Sequence, residues 1–372
     1  MGGELREPAF GAGVPYSLGV EEELFLVDPA DGRQLDAREQ VLARVGEPKR
    51  GEITGEVHAC QIELITDVCA TSAEAIDVLA DLRRTVLATG IGLIGSATHP
   101  TAAEGEAGIS DRQRYRYIAE QLGDALATPV AALHVHVGMP DAEAAIRAFN
   151  GLRRHLPLIE ALGANSPFRH GHDTGFASAR ELSLRAWPRS GAPREMADYE
   201  DFASFAERLT RAAEVPDYTF HWWRLRPHPR LGTVEVRALD VQSCLERTAS
   251  LVALIHALAR HEAESECPPS PPAEILEEAS YRARREGLAA ELPDASGHPR
   301  PLIDVLDETL ETARPAAAKI GCLEQLEGIE ILVAEGGGAS AQRSDFERGG
   351  TQEVLKGLLE RSSEEATDVA RS

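Results

Sequence analysis

The segment Thr233-Val234-Glu235-Val236-Arg237-Ala238-Leu239-Asp240 is built like a strand, and that leaves its side chains little freedom. β-Branched residues suit a pleated backbone, whose side chains alternate sides with a period of two. Glu235 and Arg237 therefore share one face, while Val234 and Val236 point the other way, into a core. A carboxylate beside a guanidinium fork has two readings. It is an ion pair on a half-exposed strand, or a hard-metal ligand next to a phosphate-binding group.

Three further segments repeat the pattern. In Gly19-Val20-Glu21-Glu22-Glu23, Glu21 and Glu23 share a face and Glu22 decorates the surface. Between Glu56 and Glu63, Gln61 and Glu63 share a face, with Glu56 a short reach away. Leu133-His134-Val135-His136-Val137-Gly138 puts both histidines on one side. Each piece also fits a bland role, as a solvated edge or a packed, hydrogen-bonded strand. Together they imply one sheet face crowded with carboxylates and imidazoles, which repulsion and desolvation would destabilise. Divalent cations offset that cost, and oxygen-dominated ligands favour magnesium, with manganese possible, over zinc. Arg180, Arg185, Arg224, Arg226 and Arg230 lie near Arg237 in sequence, a local basic excess suited to polyphosphate. Arg153, Arg154, Arg189 and Arg194 read as ordinary surface charges, and Trp222 and Trp223 as core residues.

The net charge of −23 over 372 residues argues against nucleic acid and anionic membranes as partners. No run approaches the roughly 20 apolar residues of a membrane helix. Met1 to Gly19 has no apolar run behind a basic start, so no secretory leader is expected. Five cysteines (Cys60, Cys69, Cys244, Cys267 and Cys322) form no C-x-x-C pair. Reduced thiols acting as small buried hydrophobes, in a cytoplasmic protein, are the expectation.

Strands are expected over 16–27, 56–66, 91–97, 131–138, 221–226 and 231–239, with a return strand and short helix over 34–45. Helices are expected from Ser72, from an Asp111 cap, from Asp141 to about His155, and over 241–262. Further helices fall at about 273–292, 301–315, 319–334 and 351–362. Residues 160–193 read as a loop, long enough to be functional. No Gly-rich phosphate loop follows a strand. The chain therefore reads as α+β, with a largely antiparallel sheet. A loose segment at 1–15, a core at 16–265, a helical part at 266–362 packed on the same domain, and a frayed tail at 363–372 complete the expectation.

The ordered set resembles the YbdK-type carboxylate–amine ligases, the glutamate–cysteine ligase type 2 family. It comprises Gly-Val-Glu-Glu-Glu, Gln-Ile-Glu, His-Val-His-Val-Gly, Ala164-Asn165-Ser166-Pro167-Phe168, the run Asp173 to Arg180, and Arg226-Pro227-His228-Pro229-Arg230 through Arg237. A weaker echo continues in Tyr281-Arg282-Ala283 and in Gly338 to Arg343. The resemblance implies the glutamine synthetase/guanido kinase-like catalytic fold: a curved antiparallel sheet, its active site on the concave face and helices outside. It implies metal ligation by Glu23, Glu56 and Glu63 at one site and by Glu21, His134 and Glu235 at another. His136 would lie nearer the nucleotide. Arg237 would hold the transferring phosphate, and Arg180 and Arg226 would bind phosphate or a substrate carboxylate. The implied reaction uses ATP to convert the glutamate γ-carboxylate to an acyl phosphate, from which an amine such as that of cysteine displaces phosphate. Such a site works by positioning and charge neutralisation. The implied partners are these small molecules and a second subunit in a homodimer. A two-metal phosphotransferase or hydrolase, and a non-catalytic nucleotide-binding regulator, are the competing readings.

Overall fold

The computed structural model describes residues 3–266 and 270–368. Seven strands form one antiparallel sheet: β1 (Leu18–Val27), β2 (Glu52–Gly55), β3 (Gln61–Ile65), β4 (Gly92–Ile94), β5 (Ala132–Gly138), β6 (Leu225–His228) and β7 (Thr233–Asp240). The order is β2-β3-β1-β5-β7-β6, and β4 pairs with β1 beyond the end of β5. The antiparallel α+β architecture expected from the alternating strands is the one adopted. No helix among the described residues is long and apolar enough to cross a membrane.

The larger helices are α1 (Ser72–Leu87), α2 (Gln113–Leu122), α3 (Ala142–Gly163), α4 (Tyr199–Ala212), α5 (Leu245–Glu264), α6 (Ala273–Glu286), α7 (Leu302–Ile320), α8 (Leu323–Ala334) and α9 (Gly337–Asp368). Non-helical backbone at Gly349 and Gly350 breaks the last of these. The outward-pointing Val20, Leu24, Leu133, Val135, Val234 and Val236 are fully buried under α1, α3 and α5. Leu306, Leu310, Leu326 and Ile329 of α7 and α8 belong to the same continuous core. Towards the N-terminus, Leu5 is buried, Arg6 pairs with Glu200 and Glu207, and the Ala9 N–H donates to the Pro229 carbonyl.

Capping chemistry fixes several boundaries. Thr71, one residue before the expected start, accepts the Glu74 N–H, and Glu74 in return accepts the Ala70 N–H. Asp141 caps α3 as expected, but α3 continues through Pro157 to Gly163, past His155. Asp111 caps nothing; α2 begins after Arg112 without a side-chain cap. The expected 34–45 return strand shrinks to a single Val27–Gln34 bridge before a short helix at Arg38–Arg44. Helix α4 falls where no element was expected; Asp198 caps it, and Phe202, Ala203 and Ala206 form its buried face. Cys60, Cys69 and Cys322 are buried free thiols and Cys244 is half-buried, while Cys267 lies outside the described residues.

Glu22 corrects the sequence reading most sharply. It is fully buried rather than on the surface. Its carboxylate takes two hydrogen bonds from Arg83 of α1, at 2.9 and 2.8 Å, and one from Thr248 of α5. Arg83 spends its remaining donors on the Gln242 and Ser243 carbonyls. The alternation that turns Glu21 and Glu23 to one face must turn Glu22 to the other, where only a matched cation makes burial tolerable. Arg153 likewise is buried, donating to the Pro193 carbonyl, rather than an ordinary surface charge. We expect Arg83→Met to lower the unfolding free energy by about 3–5 kcal/mol in urea titrations. Adding Glu22→Leu should restore much of that loss, because the unpaired buried charge goes with it.

Candidate active site

Sheet register brings the sequence-predicted residues together. Glu21 lies opposite His134, Glu23 opposite Glu63, and His136 opposite Glu235. Glu235 in turn faces Arg226 on β6. Glu56 reaches the same place from the turn between β2 and β3. His134 Nδ1 is 3.0 Å from Glu21, and His136 Nε2 is 3.4 Å from Glu21 and 3.7 Å from Glu235. Three sets of potential ligand atoms each fit within 4.8 Å: Glu23, Glu56 and Glu63; Glu21, His136 and Glu235; and Glu21, Glu63 and His134. His136 rather than His134 thus stands with Glu21 and Glu235, and His134 bridges towards Glu63. Such oxygen-rich sets suit hard divalent cations.

The charges on this face divide by their neighbours. Burial raises Glu63 well above the usual carboxylate range, and Glu56, Glu21 and Glu23 push it the same way. Burial and then Glu56 raise Glu23 to about 8, against the pull of Arg180 and Arg237. Burial would also raise Glu21 and Glu235, but charge pairing and hydrogen bonds from their neighbours overcome it. His136 and His134 hold Glu21 well below its ordinary value, and Arg226, Arg237 and His136 do so for Glu235. His134 falls to about 4 through burial and the adjacent Arg237. One half of the face is therefore proton-holding and the other is ionised.

The expected basic group separates into distinct parts. Arg237 ion-pairs with Glu235 and opens into the cleft. Arg180 donates to the Arg237 carbonyl, while its Nε and Nη1 are buried without hydrogen-bond partners. Arg226 is largely occupied: it holds Glu235 at 2.7–2.9 Å and donates to the Thr219 and His221 carbonyls. Arg224 pairs with Glu160 and Glu277, and Arg185 and Arg230 are exposed. Trp223 is buried in the core, whereas Trp222 is half-buried on the cleft wall.

Arg180 depends on a residue the sequence reading missed. Between Leu133 and Val135 the register of β5 against β7 slips by one, so Arg237 and Ala238 both face His134. This bulge puts Asp240 opposite Ala132, in the same alternation as His134. There Asp240 accepts bonds from the Asn165 N–H and the Ser166 and Ser178 hydroxyls, at 2.6–2.9 Å. The same segment is held from outside. The Ala177 and Ser178 N–H groups donate to the Arg284 carbonyl, Gln342 grips Asn165, and Arg343 pairs with Asp173. The supposed loop at 160–193 is thus an anchored arch carrying the short helix Arg180–Leu184.

Two cavities meet along the acidic row. One, of about 220 Å³, holds Glu23, Glu56, Glu63, His134, Arg180, Arg226 and Arg237. The other, of about 310 Å³, borders Glu21 and His136 and is walled by Val14, Ile65, Val68 and Leu231.

Fold comparison finds the same architecture in solved proteins. The glutamate–cysteine ligase of Francisella tularensis, solved with AMP, superposes with a TM-score of 0.72 over 95% of this chain and 90% of that one, at 12% identity. A bifunctional glutathione synthetase from Pasteurella multocida gives 0.68 at 14% identity, over 94% of this chain and 52% of that one. In sequence, residues 17–365 match the model of glutamate–cysteine ligase family 2. A Rubrobacter xylanophilus protein named "Putative glutamate--cysteine ligase 2-3" is 41% identical over 93% of this chain and 96% of its own length. The chain belongs to glutamate–cysteine ligase family 2.

Asp240→Ala strips three buried donors of their acceptor. It should cost about 2–4 kcal/mol of stability in denaturant titrations, and Asp240→Asn distinctly less.

Proposed function

We propose that the protein is an ATP- and magnesium-dependent ligase that joins the γ-carboxylate of glutamate to an amine. The observation that carries this reading is the coexistence, in one cleft, of two oxygen-rich ligand sets and Arg180, whose buried Nε has no hydrogen-bond partner. The donor sets fit magnesium: they are carboxylate-dominated, and the buried His136 Nε2 has no hydrogen-bond partner. Glu23, Glu56 and Glu63 would hold one ion, and Glu21, His136 and Glu235 the other, with His134 orienting Glu21. Bound magnesium supplies charge neutralisation for the polyphosphate.

The chain's own groups divide the remaining work. The aliphatic cavity beside Glu21 and His136 lacks arginines and suits the uncharged base, so the phosphates run from it across the acidic row. Arg237 and Arg180 hold the transferring phosphoryl group and the acid's carboxylate. Arg226 positions Glu235. A γ-carboxylate oxygen attacks the terminal phosphorus and ADP leaves; the amine nitrogen then attacks the acyl carbon, phosphate departs, and the nitrogen loses a proton. No covalent side-chain nucleophile is needed.

Hydroxylamine tests this directly, because it traps the acyl phosphate as γ-glutamyl hydroxamate. Glutamate-dependent ADP release and hydroxamate formation are expected; ADP release that no amine or hydroxylamine converts to amide would leave a hydrolase. Glu235→Ala should weaken magnesium-dependent nucleotide binding by at least about 100-fold in calorimetry. Without metal, Glu23 holds its proton up to about pH 8, above its ordinary 4.5. Magnesium must displace that proton, so its affinity should climb from pH 6 to 8. Calorimetry in buffers of different ionisation enthalpy should record the release, and a flat affinity over that range would contradict it. The same raised value means that the metal-free fold loses stability as pH rises from 4.5 towards 8, since only the native state then holds the proton.

A further inference from the structure

The cavity that holds Glu23, Glu56 and Glu63 has two unlike sides. Its floor is carboxylate and guanidinium. Its outer wall is Tyr115, Ile118, Leu126, Leu184, Trp187 and Trp222, with Arg114 beside them. Most of this wall belongs to a small hydrophobic cluster separate from the main core. Ile118 and Leu126 are buried in that cluster, but Tyr115, Trp187 and Trp222 remain only half-buried. Their polar tips are already engaged where they could compete. Trp187 Nε1 donates to the Ala125 carbonyl at 3.0 Å, and the Tyr115 hydroxyl donates to the Gly55 carbonyl at 2.9 Å. What these side chains offer the cavity is therefore ring surface. The two indoles are fixed edge to face, with centroids 5.3 Å apart. The wall also stands close to the acidic floor, since Gly55 directly precedes Glu56 in the chain.

Aromatic surface left open on a cavity wall gains most from an apolar group that covers it. The acid substrate cannot be that group, because its carboxylates are matched by the arginines of the floor. The remaining reactant is the amine. We propose that the acceptor is a primary amine bearing an aromatic or branched apolar side chain, and that the Tyr115–Trp187–Trp222 wall selects it. This rests on the ligase reading above. The amino nitrogen meets the activated carbonyl over the acidic floor while the side chain lies against the indoles. A thiol on one methylene, as in cysteine, covers too little of this surface to be favoured. An apolar amino acid and its decarboxylated amine present the same chemistry to the wall, and the assay separates them.

The test is kcat/KM for each acceptor with the wild-type protein, glutamate, ATP and magnesium. The panel is phenylalanine, phenethylamine, leucine, isopentylamine, cysteine, glycine and ammonia, with hydroxylamine as the trap. The apolar acceptors should exceed cysteine and glycine by roughly tenfold or more. Whichever of phenylalanine and phenethylamine is faster identifies the carboxylated or decarboxylated source. Trp222→Ala and Trp187→Leu should each lower the ratio of apolar to small acceptors. Amide formation with cysteine at a kcat/KM equal to or above that of the apolar amines would overturn this inference and leave the ligase intact. Absence of any hydroxamate from glutamate would overturn the ligase reading, and this inference with it.

Discussion

Like charges crowded on one sheet face are the constraint around which this molecule is organised. Glu21, Glu23, Glu56, Glu63 and Glu235 converge on one acidic row. A buried cluster of that kind is unfavourable unless each member is paired, protonated or bound to a cation. The protein uses the first two remedies itself. Arg226, Arg237 and the histidines ionise the Glu21–Glu235 end, while Glu23 and Glu63 keep protons at the other. The asymmetry gives the row a polarity, one end ionised and the other holding protons.

Holding those arginines still falls to elements far apart in sequence. Arg180 sits on an arch clamped by the end of β7, by α6 and by the start of α9. This accounts for the faint family pattern at Gly338 to Arg343. Gln342 and Arg343 touch no candidate ligand, yet they tie down Asn165 and Asp173 at the foot of the arch. Packing against the same core makes the C-terminal helices part of the apparatus that positions the site.

Much of the site was legible because strand periodicity is strict. Period two alone paired Glu21 with Glu23, His134 with His136, and Glu235 with Arg237, and all of them meet. What period two could not convey was anything set by a partner on another element. Glu22 looked exposed because Arg83, its cation, lies 61 residues away on a helix. Asp240 looked like a strand end because the bulge that re-aims it leaves no mark in the sequence. Trp222 and Trp223 were indistinguishable as neighbours, and only the fold buries Trp223 and leaves Trp222 half-open on the cavity wall. Helix α4 did carry a local signal, the Asp198 cap followed by acidic first-turn residues, which was overlooked. The resemblance grouped His134 with Glu21 and Glu235; in the structure His136 reaches both, while His134 lies with Glu21 and Glu63, a difference of side-chain reach that strand order does not encode.

The three consecutive glutamates of β1 act as a checksum for its alignment. A slip of one residue against β3 and β5 would turn Glu22 into the acidic row and put one of its two neighbours opposite Arg83, but the other would enter the apolar layer under the helices without a cation. Val20 or Leu24 would at the same time be turned into the acidic row. Misaligned pairings are thus penalised on both sides of the sheet at once, and the correct one satisfies both. Glu22, which lines neither cavity, in this sense helps to hold its two neighbours on the cleft face.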